Sequence, residues 1–176
     1  MPIPVPNPYD TLPDVPSFSL TSDDMTDGER LDEVHVHDSA GGDNVSPGLS
    51  WSGAPAETRG YAVTCYDPDA PTTSGFWHWL IVNVGADTSS LPRGAGADGS
   101  NTLPPGSVRL MNDMGRKAYD GSAPPPGHGT HRYIFAVHAL DTDDLGIPDS
   151  VTPGYAGFNI VGHTIARATL IGTWSR

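Results

Sequence analysis

The chain has 176 residues, 36% hydrophobic content and a formal net charge of −12. That length suits one domain, 1–176, and no apolar run approaches the ~20 residues that a membrane-crossing helix needs. Twenty-one acidic residues against nine basic ones make nucleic acid and anionic lipid surfaces poor partners.

Eighteen of the acids are Asp, and Lys117 is the only lysine. Such a surface suits a cytoplasm of high salt, where repulsion is screened, and equally a GC-rich genome that disfavours Lys codons. Cys65 stands alone, so neither an internal disulfide nor a cysteine cluster for zinc can form. The opening MPIPVPNPYD has no basic stretch followed by an apolar one, which predicts a cytoplasmic protein.

Residues 1–16 are rich in proline and read as an extended arm. SFSLT (17–21) alternates, with Phe18 and Leu20 on one face of a half-buried strand. LDEVHVH (31–37) alternates as well, with Val34 and Val36 on one side and His35 and His37 on an exposed other. Turn chemistry follows around a short piece ending at Trp51. YAVTCY (61–66) and HWLIVNV (78–84) are short, β-branched and aromatic, as buried strands are. Residues 85–130 read as loop with a short strand at Val108–Met111. HRYIFAVHAL (131–140) is apolar on both faces and predicts a central strand. Thr152 and Pro153 suit the N-cap and first position of a helix, though the glycines of GYAGFNIVGHTIA weaken it. RATLIGTW (167–174) reads as a closing strand. Several strands with one or two short helices predict a mainly β fold, an antiparallel β-sandwich.

Three motif matches carry no function. Gly94–Gly99 fits GxGxxG, but it lies between SSLPR and SNTLPPG, so no helix opens after it. The loop starting at Asp141 begins like a calcium loop, but Leu145 and Thr152 stand where ligands are needed. Asn44-Val45-Ser46 is a glycosylation sequon in a chain read as cytoplasmic. Among single residues, Cys65 reads as an inert buried thiol, His138 as a satisfied core or interface histidine, and His163 as a complement to the helix dipole.

Polar groups gather at two places beside apolar strands. DPDAP (67–71) leaves the YAVTCY strand, with His78 opening the next. GSAPPPGHGTHRY (121–133) leads into the long strand, where alternation sets His131 and Tyr133 on one face. The same alternation places His78 with Leu80 and Val82. Imidazolium and phenol donate hydrogen bonds to an anion, and a glycine-rich loop adds backbone N–H groups. A carboxylate fits beside them where Asp67 takes a histidine's far N–H and fixes its tautomer.

These segments resemble the phosphatidylethanolamine-binding protein family, also called Raf kinase inhibitor protein-like, in its short bacterial and archaeal branch. The resemblance rests on GGDNVSPGLSWSG (41–53), YDPDAP (66–71), FWHWLIVNV (76–84), LPRGAG (91–96), YDGSAPPPGHGTHRYIFAVHALD (119–141) and GHTIARATLIGTWSR (162–176), in family order. It implies a β-sandwich with a small anion pocket built from Asp67, Pro71, His78, His131 and Tyr133, with Asp69 behind them. Ala123 and Pro124 fall where the family usually has GGPxPP; Ala123 replaces a glycine or proline there, which alters pocket width. His128 either extends the site or faces water. The resemblance also implies a cis peptide at Ala70–Pro71 and admits a homodimer.

The expected function is non-enzymatic. The protein would bind a small phosphorylated or carboxylated ligand without a cofactor or metal, with a regulatory role toward a protein partner. One alternative is a hydrolase or lyase in which Asp67 with His78 or His131 activates water. Another is a divalent-metal protein using Asp67, Asp69 and two histidines. Membrane insertion is not expected, and kinase inhibition does not transfer on fold alone.

Overall fold

A computed structural model describes residues 5–176, so the start of the proline-rich arm, residues 1–4, lies outside the described residues. In chain order the elements are β1 (Ser19–Thr21), β2 (Leu49–Ser52), β3 (Gly60–Asp67), β4 (Phe76–Gly85), β5 (Ser90–Leu91), β6 (Val108–Arg109), β7 (His131–Leu140), α1 (Pro153–His163) and β8 (Thr164–Trp174). They form a three-stranded sheet, β1-β2-β5, and a five-stranded sheet, β6-β4-β3-β7-β8. The ladders within both sheets are antiparallel.

The centre of the large sheet goes to the most β-prone segments. Every residue of β3 except Tyr66 is buried, and every residue of β7 except Arg132. A strand covered on both faces has no need of polar alternation. One face packs Val63, Cys65, Trp79, Ile81, Phe135 and Val137 against Leu20, Leu49, Trp51 and Leu91 of the small sheet. The other packs Ala62, Leu80, Val82 and Leu140 against Ala156 and Ile160 of α1. Full burial of Ile160 contributes about 1.5–3 kcal/mol and holds the helix down despite its glycines. Thr152 caps α1 by accepting from the Tyr155 N–H at 3.3 Å, with Pro153 in its first turn. Among the described residues no helix is long and apolar enough to cross a membrane.

The fold departs from the sequence expectations in several places: Pro8–Thr11 of the arm expected to be extended form a turn of 3-10 helix, and β5 lies in a stretch read as loop. Residues 31–37 are no strand: Glu33–His35 form a turn of 3-10 helix, and Val36 makes one isolated bridge to Ser122. His35 is buried there with its Nδ1–H donating to the Val45 carbonyl at 2.7 Å, and His37 is half-buried. In β4 the pairing runs Cys65 to Trp79 and then Tyr66 to Trp77, so His78 is an extra residue in a β-bulge. Simple alternation therefore fails, and His78 joins the inner face with Trp79 rather than the outer face of Leu80 and Val82. The strand expected at Val108–Met111 ends at Arg109.

Candidate functional site

The C-terminal end of β3, the N-terminal ends of β4 and β7, and three loops enclose a cavity of about 260 Å³ at one end of the sandwich. Alternation along β3 and β7 points Asp67, His131 and Tyr133 inward, and the bulge adds His78. The loop between β3 and β4 turns at Pro71, where the Thr72 N–H donates to the Ala70 carbonyl at 2.7 Å. That is a γ-turn, whose central φ proline already holds. The Ala70–Pro71 bond is trans, and no cis peptide occurs among the described residues, which corrects the expected cis bond. The loop closes at Gly75, with φ +65° and its α-carbon so near the Tyr66 hydroxyl that a Cβ would overlap it.

Asp67 organises one wall. His131 Nδ1–H donates to Asp67 Oδ2 at 2.7 Å, both side chains being almost wholly buried. The other carboxylate oxygen accepts the Asp69 N–H at 2.8 Å. With Nδ1 committed, His131 directs Nε2 outward, 2.8 Å from His128 Nδ1. Three groups thus form a chain from carboxylate to loop: Asp67, His131, His128.

The opposite wall is built on His78. Its Nδ1–H donates to the Asp120 carbonyl at 2.6 Å, and its ring meets the edge of Tyr133 at 5.1 Å. Burial pushes the imidazole below its usual pKa, although the Asp120 carbonyl and the carboxylates of Asp67, Asp120 and Asp113 oppose the shift. At neutral pH His78 is therefore uncharged, with Nε2 a bare acceptor. This corrects the expectation of an imidazolium donor at this position.

Tyr133 supplies the donor. Its buried hydroxyl donates to no group, with the Ala123 N–H directed at its oxygen. Burial, then the Asp67 charge, pushes its pKa well above the usual phenol, so it keeps its proton. A buried O–H without an acceptor costs roughly 1–3 kcal/mol, which a ligand at this spot would recover.

Asp69 stands apart from the lining. Its carboxylate takes the Arg132 guanidinium in two bonds, at 2.7 and 2.8 Å, and the Arg132 N–H at 2.9 Å. Burial opposes its ionisation, but these Arg132 bonds outweigh it and hold the carboxyl below the usual range. Arg132 lies between His131 and Tyr133 in β7, so Asp69 positions the strand that carries both. Pro71, Ala123 and Pro124 do line the cavity, as rigid apolar wall. Among the described residues no group of three or more His, Cys, Asp or Glu is arranged to hold a metal ion.

The family pattern of phosphatidylethanolamine-binding protein matches residues 21–175. The chain belongs to the phosphatidylethanolamine-binding protein family. It is 46% identical over 160 residues to the UPF0098 protein YbhB of Escherichia coli, covering 90% of this chain and all of that protein. The crystal structure of E. coli YbcL, described as a new member of the mammalian PEBP family, superposes with a TM-score of 0.88 at 39% identity. It covers 91% of this chain and 99% of YbcL. A putative family homologue from Chlamydia trachomatis, CT736, gives a TM-score of 0.76 at 28% identity, covering 91% and 98%. The expected sandwich is thus the family fold.

Among the lining residues of this cavity that the sequence reading did not single out are His37, Phe76 and Asp120. His37 reaches the cavity because the 3-10 turn brings its strandless segment across residues 120–122. Gly121 permits the crossing, since a Cβ there would overlap the His35 carbonyl. The DSAGG run after His37 was the available signal of a turn. Asp120 is buried with both carboxylate oxygens paired: Arg116 donates to Oδ1 at 2.7 Å and Asn112 to Oδ2 at 2.6 Å. Phe76 packs on His78 with the rings tilted by 54° and 4.9 Å between centroids.

Proposed function

We propose that this protein binds a small phosphorylated or carboxylated molecule, of the size of a phosphoethanolamine head group, and that occupancy tunes its contact with a protein partner. The observation that carries the reading is the buried Tyr133 O–H, which donates to no group, between two histidines whose Nδ1 positions are already committed. A phosphate monoester monoanion fits this mixture. One of its oxygens accepts from Tyr133, and its own P–OH donates to the bare Nε2 of His78. The second ionisation of such a group lies near pH 6, so the ligand brings the proton that His78 lacks. Stiff proline walls limit the ordering cost of binding.

Binding without turnover is favoured by the one serine hydroxyl that, among the described residues, hydrogen-bonds a histidine ring. Ser39 Oγ lies 2.8 Å from His37 Nδ1, and His37 Nε2 lies 3.5 Å from Asp120 Oδ1. That Nδ1 also accepts the Ser39 N–H as the cap of a 3-10 turn. The N–H groups of Ala40, Gly41 and Gly42 are used within the same turn. None of the four N–H groups from Ser39 to Gly42 is left to hold an oxyanion.

The test is calorimetry with phosphate and O-phosphoethanolamine at pH 6 and pH 8, on the natural protein, His131→Ala and Tyr133→Phe. Saturable heat is expected, larger at pH 6, and weaker by about tenfold or more in His131→Ala. No heat from the natural protein at either pH would overturn the reading. Turnover of phosphate esters that disappears in His131→Ala would replace it with the hydrolase alternative.

A further inference from the structure

A second cavity, of about 490 Å³, lies on the outer face of the large sheet, beneath α1 and the arm around Pro8–Leu12. Its walls are Pro8, Leu12, Tyr66, Trp77, Phe158 and Ile160, with Thr64, Tyr9 and His138 as polar groups. None of its lining residues is Asp, Glu, Lys or Arg, in a chain whose net charge is −12.

Two features of this cavity are unexplained by packing. The first is a pair of buried hydroxyls. Thr64 Oγ1 and the Tyr9 OH both lack hydrogen-bond partners, and Thr64 has no exposed surface at all. Burial raises the Tyr9 pKa to about 12, a rise partly offset by the Thr64 hydroxyl beside it and by Arg167. The two hydroxyls are neighbours that do not meet in hydrogen-bonding geometry. The second feature is the helix. Gly154, Gly157 and Gly162 all line the cavity, although glycine is the poorest ordinary helix former. Gly157 has a packing reason, since a Cβ would stand 3.1 Å from the Trp77 ring. Gly154 and Gly162 have none: a Cβ at either meets nothing within 4 Å, and neither has a positive φ. Both lie at the exposed rim of the cavity, where no packing contact requires glycine.

We propose that this cavity is a second binding site, for a small uncharged molecule with an aromatic body and one hydroxyl. Tyr66, Trp77 and Ile160 enclose the body, and Thr64 and Tyr9 take the hydroxyl. Each can donate one bond and accept another, so a ligand hydroxyl satisfies both at once. The size is in the range of small-molecule pockets, about 300–1,000 Å³, which are mostly apolar with a few convergent polar groups. His138 stays neutral above acid pH, because burial, then the Arg167 charge, lowers its pKa to about 3. A carboxylate would therefore lose its hydration without gaining a charged partner among the lining residues.

The probes are p-cresol, toluene and benzoate, titrated into the full-length protein with inorganic phosphate present at saturation. NMR signals of the Trp77 indole and the Ile160 methyls report binding. p-Cresol is expected to shift both saturably, toluene to bind about threefold to tenfold more weakly, and benzoate not at all. Thr64→Val keeps the volume and removes one hydroxyl, and should bring p-cresol close to toluene. Gly162→Leu fills the cavity with a better helix former and should weaken both ligands about tenfold, while His131→Ala leaves them unchanged. No saturable shift up to the solubility of p-cresol would overturn the proposal. So would p-cresol binding that Gly162→Leu leaves intact, or binding lost in His131→Ala.

Discussion

Strands β3, β4 and β7 present a cavity on each face of one sheet, and the two cavities differ in charge. On the inner face, Asp67, His78, His131 and Tyr133 bring titratable groups into a pocket with proline and phenylalanine walls. On the outer face, Thr64, Tyr66, Trp77 and His138 line a larger one without a formal charge. In β3 the assignment follows position parity, Asp67 against Thr64 and Tyr66, and in β7 Tyr133 against His138. A regular strand can thus specify two environments a few ångströms apart, because its successive side chains point to opposite faces. In β4 parity breaks, and the bulge at His78 keeps the imidazole and Trp79 on the same side.

The largest expected effect tests the inner face. Asp67→Ala leaves His131 buried without its carboxylate and should cost about 3–5 kcal/mol in urea unfolding, with phosphate binding lost. If stability falls by less than about 1 kcal/mol, the Asp67–His131 pair does not organise the pocket.

Next in size is a pH effect from the outer face. His138 titrates near 6.5 when unfolded and at about 3 in the native protein. Below pH 6.5 the unfolded chain binds a proton that the native state refuses, so stability falls as pH drops toward 3. The contribution is about 2–3 kcal/mol near pH 4.5. His78, also lowered, acts in the same direction. Urea midpoints between pH 7 and pH 4 should fall less steeply in His138→Gln than in the natural protein. Parallel curves would mean that this imidazole is not held neutral by burial.

Asp69→Asn separates the two aspartates of one motif. The Asp69–Arg132 pair is partly exposed, so its loss should cost about 1 kcal/mol, with phosphate affinity changed less than about threefold. An effect on affinity as large as that of Asp67→Ala would place Asp69 among the groups that hold ligand.

The smallest stability change belongs to Tyr133→Phe, which deletes a hydroxyl that donates to no group. Unfolding should move by no more than about 0.5 kcal/mol, while phosphate affinity drops several-fold. A loss of 2 kcal/mol or more on unfolding would show that the hydroxyl already donates to a partner in the unliganded protein.

The strand cores were legible because their residues are β-branched, aromatic and bounded by turn chemistry, and Tyr61–Tyr66, His78–Val84 and His131–Leu140 fall inside β3, β4 and β7. The capped start of α1 was legible from Thr152 and Pro153 for the same local reason. His131 and Tyr133 were placed together by a regular strand period. His78 was assigned the wrong strand neighbours, because a bulge depends on how two strands pair and leaves no mark in one strand's own pattern. His37 was misread because VHVH has the alternation of a strand, while its neighbours turn it into a bridge against Ser122.

Local chemistry in the sequence therefore determined the elements, the acidic surface and the family motifs, since each depends on residues close together along the chain. Tertiary structure alone decided that His78 is a neutral acceptor, that Asp69 serves Arg132, and that the Tyr133 hydroxyl donates to no group. It also decided that a helix weakened by glycines roofs a second cavity. Those properties depend on burial and on partners tens of residues away, such as Asp67 for His131 and Asp120 for His78. Charge state and hydrogen-bond satisfaction are set where distant segments meet and water is excluded.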